Sequence, residues 1–221
     1  MALHFLGRRA RLQPCRSAAQ RALGLRANSG SAGGFSYPGP RALDQIVKLE
    51  LLQNEDGEQI QHIWEKFHTD KSDAVAAALP HDRFRTLVDR ATAAPFFVFP
   101  VYRQDGFFNM LCQFQQTCFL VTYLEAFKEN PAGAPPCLAV SLYDDLLEKK
   151  EVGLVRGDII NMLDKQESQV LLDQLLASYS DEQLYEHVDK FNNRPEQFDF
   201  EVYRSLLKDA VATAATPASS S

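Results

Sequence analysis

His62 and His68 are the first pair to test for metal chemistry. They sit in a run whose apolar residues Ile60, Ile63, Trp64 and Phe67 recur at helical spacing, with Asp56 placed to cap the helix start. Chelation from a single helix needs two histidines on one face, four residues apart. Six residues put the rings on opposite faces, so both read as exposed helix residues rather than ligands. Asp144-Asp145 offers paired carboxylates for a metal or for acid and base work, yet neighbours on a helix point apart. That pair reads as a solvated helix start. The chain has no C-x-x-C, G-x-S-x-G, G-x-x-x-x-G-K or G-x-G-x-x-G. Gly30-Ser31-Ala32-Gly33-Gly34 lacks a preceding strand and a following lysine, which makes it a linker and not a phosphate loop. No catalytic, cofactor-binding or metal-ligating residues are expected, and nothing here demands an enzyme.

The composition narrows the partners. With 221 residues, 45% hydrophobic and 24% charged, the chain is of ordinary globular make-up and long enough for one sizeable domain. A net charge of -6 is a poor start for neutralising phosphates, so nucleic acid is not an expected partner. No window approaches the roughly 20 apolar residues that span a bilayer, so no membrane insertion is expected. Four cysteines are too few for a disulfide scaffold and point to a reducing compartment.

Charge is unevenly distributed along the chain. Of the 23 basic residues, seven arginines (8, 9, 11, 16, 21, 26 and 41) precede Asp44, the first acidic residue; 16 basic against 29 acidic residues follow, a net -13. An arginine-rich, acid-free N-terminus is the composition of an organelle transit peptide, mitochondrial or plastid, and is assigned to residues 1–33 with cleavage between Arg26 and Gly33. A disordered basic tail that binds something acidic is the alternative. The Gly, Ser and Pro content predicts a linker at 34–41, a folded domain at 42–210 and a disordered tail at 211–221.

Within the domain the hydrophobic period switches repeatedly. Ala74 to Leu79 reads as a strand and Pro80 as the first residue of a helix bearing Phe84, Leu87, Val88 and Ala91 on one stripe. Phe96 to Tyr102 is aromatic and β-branched and ends at an Asp105-Gly106 turn. Phe107 to Gln115 and Cys118 to Leu124 then alternate around Gln116-Thr117. If those two residues form the turn, opposite positions pair Phe114 with Phe119, Cys112 with Val121 and Met110 with Tyr123, all on one buried face. Cys112 and Cys118 do not face each other in this register. Further strands are expected at Cys137 to Tyr143 and Val152 to Ile160, and helices at Gln166 to Ser178, at Asp181 to Phe191 and after Arg194-Pro195. The fold class is α+β: one domain, with a mostly antiparallel sheet of about five to six strands packed against helices.

Four runs taken together carry a resemblance: Leu43-Asp44-Gln45-Ile46-Val47-Lys48-Leu49-Glu50, Ile60-x-x-Ile63-Trp64, Pro95-Phe96-Phe97-Val98-Phe99-Pro100, and Phe191-Asn192-Asn193-Arg194-Pro195-Glu196-Gln197-Phe198. In this order and spacing the chain resembles the mitochondrial ATP synthase F(1) complex assembly factor 1 family, chaperones of the F(1) beta subunit. The region between presequence and domain is shorter than in some relatives. The resemblance implies an α+β protein of the mitochondrial matrix, rather than the plastid. It would hold the unassembled beta subunit, prevent its aggregation and be displaced by alpha, with no cofactor and no small-molecule substrate. A matrix enzyme with an unrecognised site, or a stable scaffold subunit, are the competing classes.

Such a holder needs an apolar face, expected here with an acidic rim, rather than a cleft. The corner Asn193, Arg194, Pro195 with Phe198 is the first candidate for partner binding, because it is the most distinctive short run. Against it, Pro195 also suits a helix start, Arg194 a helix C-terminus and Phe198 the core. The aromatic strand, represented by Phe97 and Phe99, is the second candidate, provided that it lies on a sheet edge.

Overall fold

The computed structural model describes residues 39–104 and 106–214. Six strands, β1 (Ala74–Pro80), β2 (Phe96–Arg103), β3 (Gly106–Gln115), β4 (Cys118–Tyr123), β5 (Pro136–Tyr143) and β6 (Val152–Ile159), form one antiparallel sheet in the order β1-β6-β5-β4-β3-β2. The sheet curls into a half-barrel. Eight α-helices are present among the described residues: α1 (Leu49–Leu52), α2 (Gly57–Thr69), α3 (His81–Ala93), α4 (Leu124–Glu129), α5 (Leu147–Lys150), α6 (Lys165–Ser180), α7 (Glu182–Asn193) and α8 (Phe200–Ala214). Single turns of 3-10 helix occur at Leu43–Gln45 and Pro195–Gln197. The α+β expectation holds. Connections too short for a crossover helix join β2 to β3 and β3 to β4, which forces the antiparallel arrangement there.

The β3–β4 register is the one expected, Met110 opposite Tyr123, Cys112 opposite Val121 and Phe114 opposite Phe119. Gln116 takes the left-handed conformation the tight turn requires, at φ 57°. Four of those six side chains are fully buried, and all six belong to the main core or pack on it. Helix α6 fills the concave side and packs on both terminal strands, β1 and β2. Its Leu171, Leu172, Leu175 and Tyr179 are essentially unexposed, and burial of each such side chain contributes about 2 kcal/mol. A capping box starts this helix: Asp164 accepts from the Glu167 N–H (2.8 Å) and Glu167 accepts from the Asp164 N–H (3.1 Å). At its other end Arg90 donates to the carbonyls of Tyr179 and Ser180, both at 3.1 Å.

Helix α2 covers the opposite face of β1 and β6, where Trp64 is fully buried and donates its indole N–H to the Val155 carbonyl (3.1 Å). Helix α3 docks close because residue 153 is glycine; a Cβ there would lie 2.1 Å from the Phe84 ring.

Several boundaries differ from the sequence reading. Pro80 is the last residue of β1 and the N-cap of α3, not its first helical residue. Leu124 begins α4 rather than ending β4. Helix α8 continues to Ala214, past the boundary expected at 210. The transit peptide expected at 1–33, residues 34–38 of the linker and residues 215–221 of the tail lie outside the described residues, as does Asp105 of the expected turn. No helix among the described residues is long and apolar enough to cross a membrane.

Candidate interaction surface

Strand β2 is a terminal strand, so the condition set for the aromatic run is met. The Pro95 carbonyl accepts from Phe114 N–H at 2.7 Å, and alternation along an antiparallel strand then turns the backbone groups of Phe96, Val98, Pro100 and Tyr102 away from β3. This edge is blunted in two ways. The Asn192 side chain accepts from Phe96 N–H (3.0 Å) and donates to the Phe96 carbonyl (2.6 Å), standing in for a neighbouring strand. Pro100 has no N–H to offer.

The α7–α8 corner wraps the same edge. Phe198, half-buried, stacks edge-on against Phe97 (5.8 Å between centroids) and Phe191 (5.2 Å). Phe97 and Phe99 have no exposed surface; Phe97 forms the floor beneath Phe198, and Phe99 packs edge-on against Phe97 at 5.3 Å. Arg194 caps the end of α7 through its backbone, and its guanidinium meets Asp189 at 2.5 Å. Asn193, exposed, donates to the same Asp189 carboxylate at 2.7 Å; these bonds hold the Asp189 carboxyl below its usual pKa against the opposing effect of burial. Pro195 starts the 3-10 turn. Five of the six residues singled out from the sequence therefore meet at one corner, Phe97 inside it, Asn193, Arg194 and Pro195 on its surface and Phe198 between, while Phe99 lies behind Phe97.

Below the corner the aromatic surface continues into a groove of about 910 Å³ between the β2–β3 hairpin and the start of α6. Tyr102 and Phe107 stand on either side of the hairpin with centroids 5.7 Å apart, and Phe107 stacks on Phe200 at 6.1 Å. Tyr102 (40%), Phe107 (39%) and Val170 (42%) remain accessible, high values for large apolar side chains. Arg204 lies over Phe107 and Lys208 over Tyr102, at 4.7 and 5.4 Å. The rim is mixed in charge, not acidic: Asp164, Glu167 and Glu201 alternate with Arg103, Arg204 and Lys208. A bidentate pair from Arg103 to Glu167 (2.6 and 3.0 Å) ties the hairpin to α6 and lowers the Glu167 pKa.

Polar chemistry of another kind lies on the far side of the sheet. Arg156, 3% exposed, donates to His68 Nε2 (2.6 Å) and to Asp158 (2.8 and 3.0 Å), and Arg41 reaches the same carboxylate. His68 Nδ1 meets the Trp64 carbonyl at 2.8 Å, which fixes the proton on Nδ1 and leaves Nε2 as the acceptor. Burial lowers its pKa to about 4, so the ring is neutral at pH 7. His68 is thus a core residue, contrary to the exposed position expected for it; the buried stripe runs Ile60, Trp64, His68 and leaves Phe67 out. Its signals were the i, i+4 spacing from Trp64 and a lone arginine inside the apolar strand Val152–Ile159.

Nucleophiles and ligand sets are scarce. Cys112, Cys118 and Cys137 are free and buried, and burial raises each thiol pKa, that of Cys118 to about 11. Buried protonated thiols are inert. Among the described residues no group of three His, Cys, Asp or Glu is placed to hold a metal ion.

Comparison with known proteins adds independent information. Residues 13–202 match the family model described as ATP11 protein. A protein named ATP synthase mitochondrial F1 complex assembly factor 1 from Danio rerio is 25% identical over 169 residues, covering 75% of this chain and 55% of that protein. Proteins of the same name from Mus musculus and Homo sapiens are each 26% identical over 163 residues, covering 72% of this chain and 50% and 49% of theirs. The chain spans about half the length of the curated relatives it matches. With the family model matching most of its length, the chain belongs to the ATP11 protein family.

Proposed function

We propose that this protein is an assembly chaperone of mitochondrial F(1) ATP synthase that acts without catalysis. It holds the unassembled beta subunit in the matrix, keeps it from aggregating and is displaced when alpha supplies the better contact. The observation that carries this reading is the open aromatic groove of Tyr102, Phe107 and Val170, continuous through Phe200 with the corner of Phe198, Asn193 and Arg194. An isolated subunit exposes apolar surface that its neighbours later bury, and a holder must offer a matching accessible apolar face. An ion-paired rim keeps such a complex polar enough to come apart when a larger interface competes. Membership of the ATP11 family and the names of the relatives support an F(1) partner. The choice of beta over alpha comes from the sequence resemblance.

The test is a pull-down with the full chain against separately produced alpha and beta subunits, followed by addition of alpha to any beta complex. Retention of beta alone, with release on adding alpha, is the expected result. Retention of alpha instead, or a complex that alpha leaves intact, contradicts it.

A further inference from the structure

The second groove on α6 lies on the other side of that helix, along the opposite edge of the sheet. There the Asp73 carbonyl accepts from Ile159 N–H and His81 N–H donates to the Glu151 carbonyl, both at 2.9 Å. Alternation along the β1–β6 ladder then turns Val75, Ala77 and Leu79 toward β6 and leaves the N–H and C=O groups of Ala76 and Ala78 facing away from the sheet. Folded proteins usually blunt such an edge with proline, charge or a bulge. β1 reads Ala-Val-Ala-Ala-Ala-Leu-Pro, with the proline only at its end, and Ala76, Ala77 and Ala78 remain half-buried rather than covered. They open into a groove of about 470 Å³ whose walls are α2 on one face and α6 on the other.

Among the described residues the walls carry charge without counter-charge. Glu65 on α2 accepts from the Gln61 amide and Asp173 on α6 from the Gln169 amide, each at 3.0 Å, and neither is in an ion pair among the described residues. The cation in the groove, Lys165, is already engaged with the carbonyls of His68, Thr69 and Lys71 at 2.9, 2.5 and 2.6 Å.

We infer that the β1 edge accepts an extended partner segment as a seventh strand, one in which two adjacent basic residues reach Glu65 on one wall and Asp173 on the other. Adjacent residues of a strand point to opposite faces, so one basic pair satisfies both walls. The open stretch suits about five residues, roughly 16 Å of strand. A second copy of this chain is a poor occupant, since each β1 is recessed between its own two helices. The inference stands apart from the F(1) reading, which rests on the opposite edge.

The probe is a fluorescein-labelled Thr-Val-Lys-Arg-Val-Thr peptide titrated into the full chain, read by fluorescence anisotropy and by amide exchange. Saturable binding is expected, with slowed exchange at the Ala76 and Ala78 amides. Binding should weaken by about tenfold in the Glu65→Lys, Asp173→Lys double variant, and by a similar factor when alternate peptide nitrogens are methylated. The methylated probe needs no protein variant, so misfolding cannot mimic the result. Absence of saturable binding to the folded chain, equal affinity for the methylated peptide, or equal affinity for a Glu-Glu version overturns the inference. Capture of the beta subunit, scored separately, is unaffected by any of these outcomes.

Discussion

At the β2 edge the Asn192 amide occupies the outward backbone groups of Phe96 and Pro100 presents no donor, while at the β1 edge the outward groups of Ala76 and Ala78 meet no such plug among the described residues. The two edges flank the same helix, α6, and each borders a groove. They differ in what they present. The β2 side is blunted against strand pairing and displays aromatic side chains; the β1 side displays backbone between two carboxylates. The holding role proposed above would benefit from this division, because side-chain contact at β2 is self-limiting whereas an unblocked aromatic edge would pair with itself.

The largest effect is expected beneath the β1 edge. Arg156 lies opposite Ala76 in the ladder and organises His68 and Asp158, so Arg156→Met should cost about 3 kcal/mol in urea denaturation by leaving polar groups unpaired. A cost below about 1 kcal/mol would mean that the buried network does not hold this edge.

Removing the plug at β2 comes next. Asn192→Ala leaves the Phe96 N–H and carbonyl without partners and should cost about 2 kcal/mol. It should also produce concentration-dependent association in analytical ultracentrifugation. A variant that is destabilised yet strictly monomeric would show that the corner, and not the amide, blocks the edge.

A pH series sharpens the comparison further. The His68 pKa is lowered from 6.5 to about 4 in the folded state, so between those values the unfolded chain binds more protons. Stability is therefore lost as pH falls from about 6.5 toward 4, and the melting temperature at pH 5 should lie below that at pH 7. His68→Gln should flatten this dependence without abolishing it, because burial also lowers the pKa of His187 near the corner. An unchanged slope would remove His68 from the account.

The smallest change in stability belongs to the exposed aromatics. Tyr102→Ser with Phe107→Ser should alter the unfolding free energy by about 1 kcal/mol or less, since both side chains are substantially solvated already.

Much of this architecture was legible in the residues, but the edges were not. The β3–β4 register followed from a strict period of two around a two-residue turn, helix α2 from its stripe and its Asp56 cap, and helices α6 and α7 from their apolar residues. Which strands end the sheet is a long-range property: β1 pairs with β6 across more than 70 residues of chain, and nothing local in Ala74–Pro80 announces it. The corner illustrates the same limit. Its run was distinctive in sequence, yet the buried member that acts on the backbone is Asn192, one residue before the candidate Asn193, and an asparagine's burial cannot be read from its neighbours. The exposure of Tyr102 and Phe107 was not legible either, because alternation sets the face of a side chain and not how far the core extends over it.

The most direct test of the central claim is the light scattering of isolated F(1) beta subunit at aggregating temperature, with the full wild-type chain or the Tyr102→Ser, Phe107→Ser variant added. Suppression of scattering by the wild type and its loss in the equally folded variant is the predicted result. Equal protection by both, or none from the wild type, would contradict the assignment of the aromatic groove as the surface that holds the subunit.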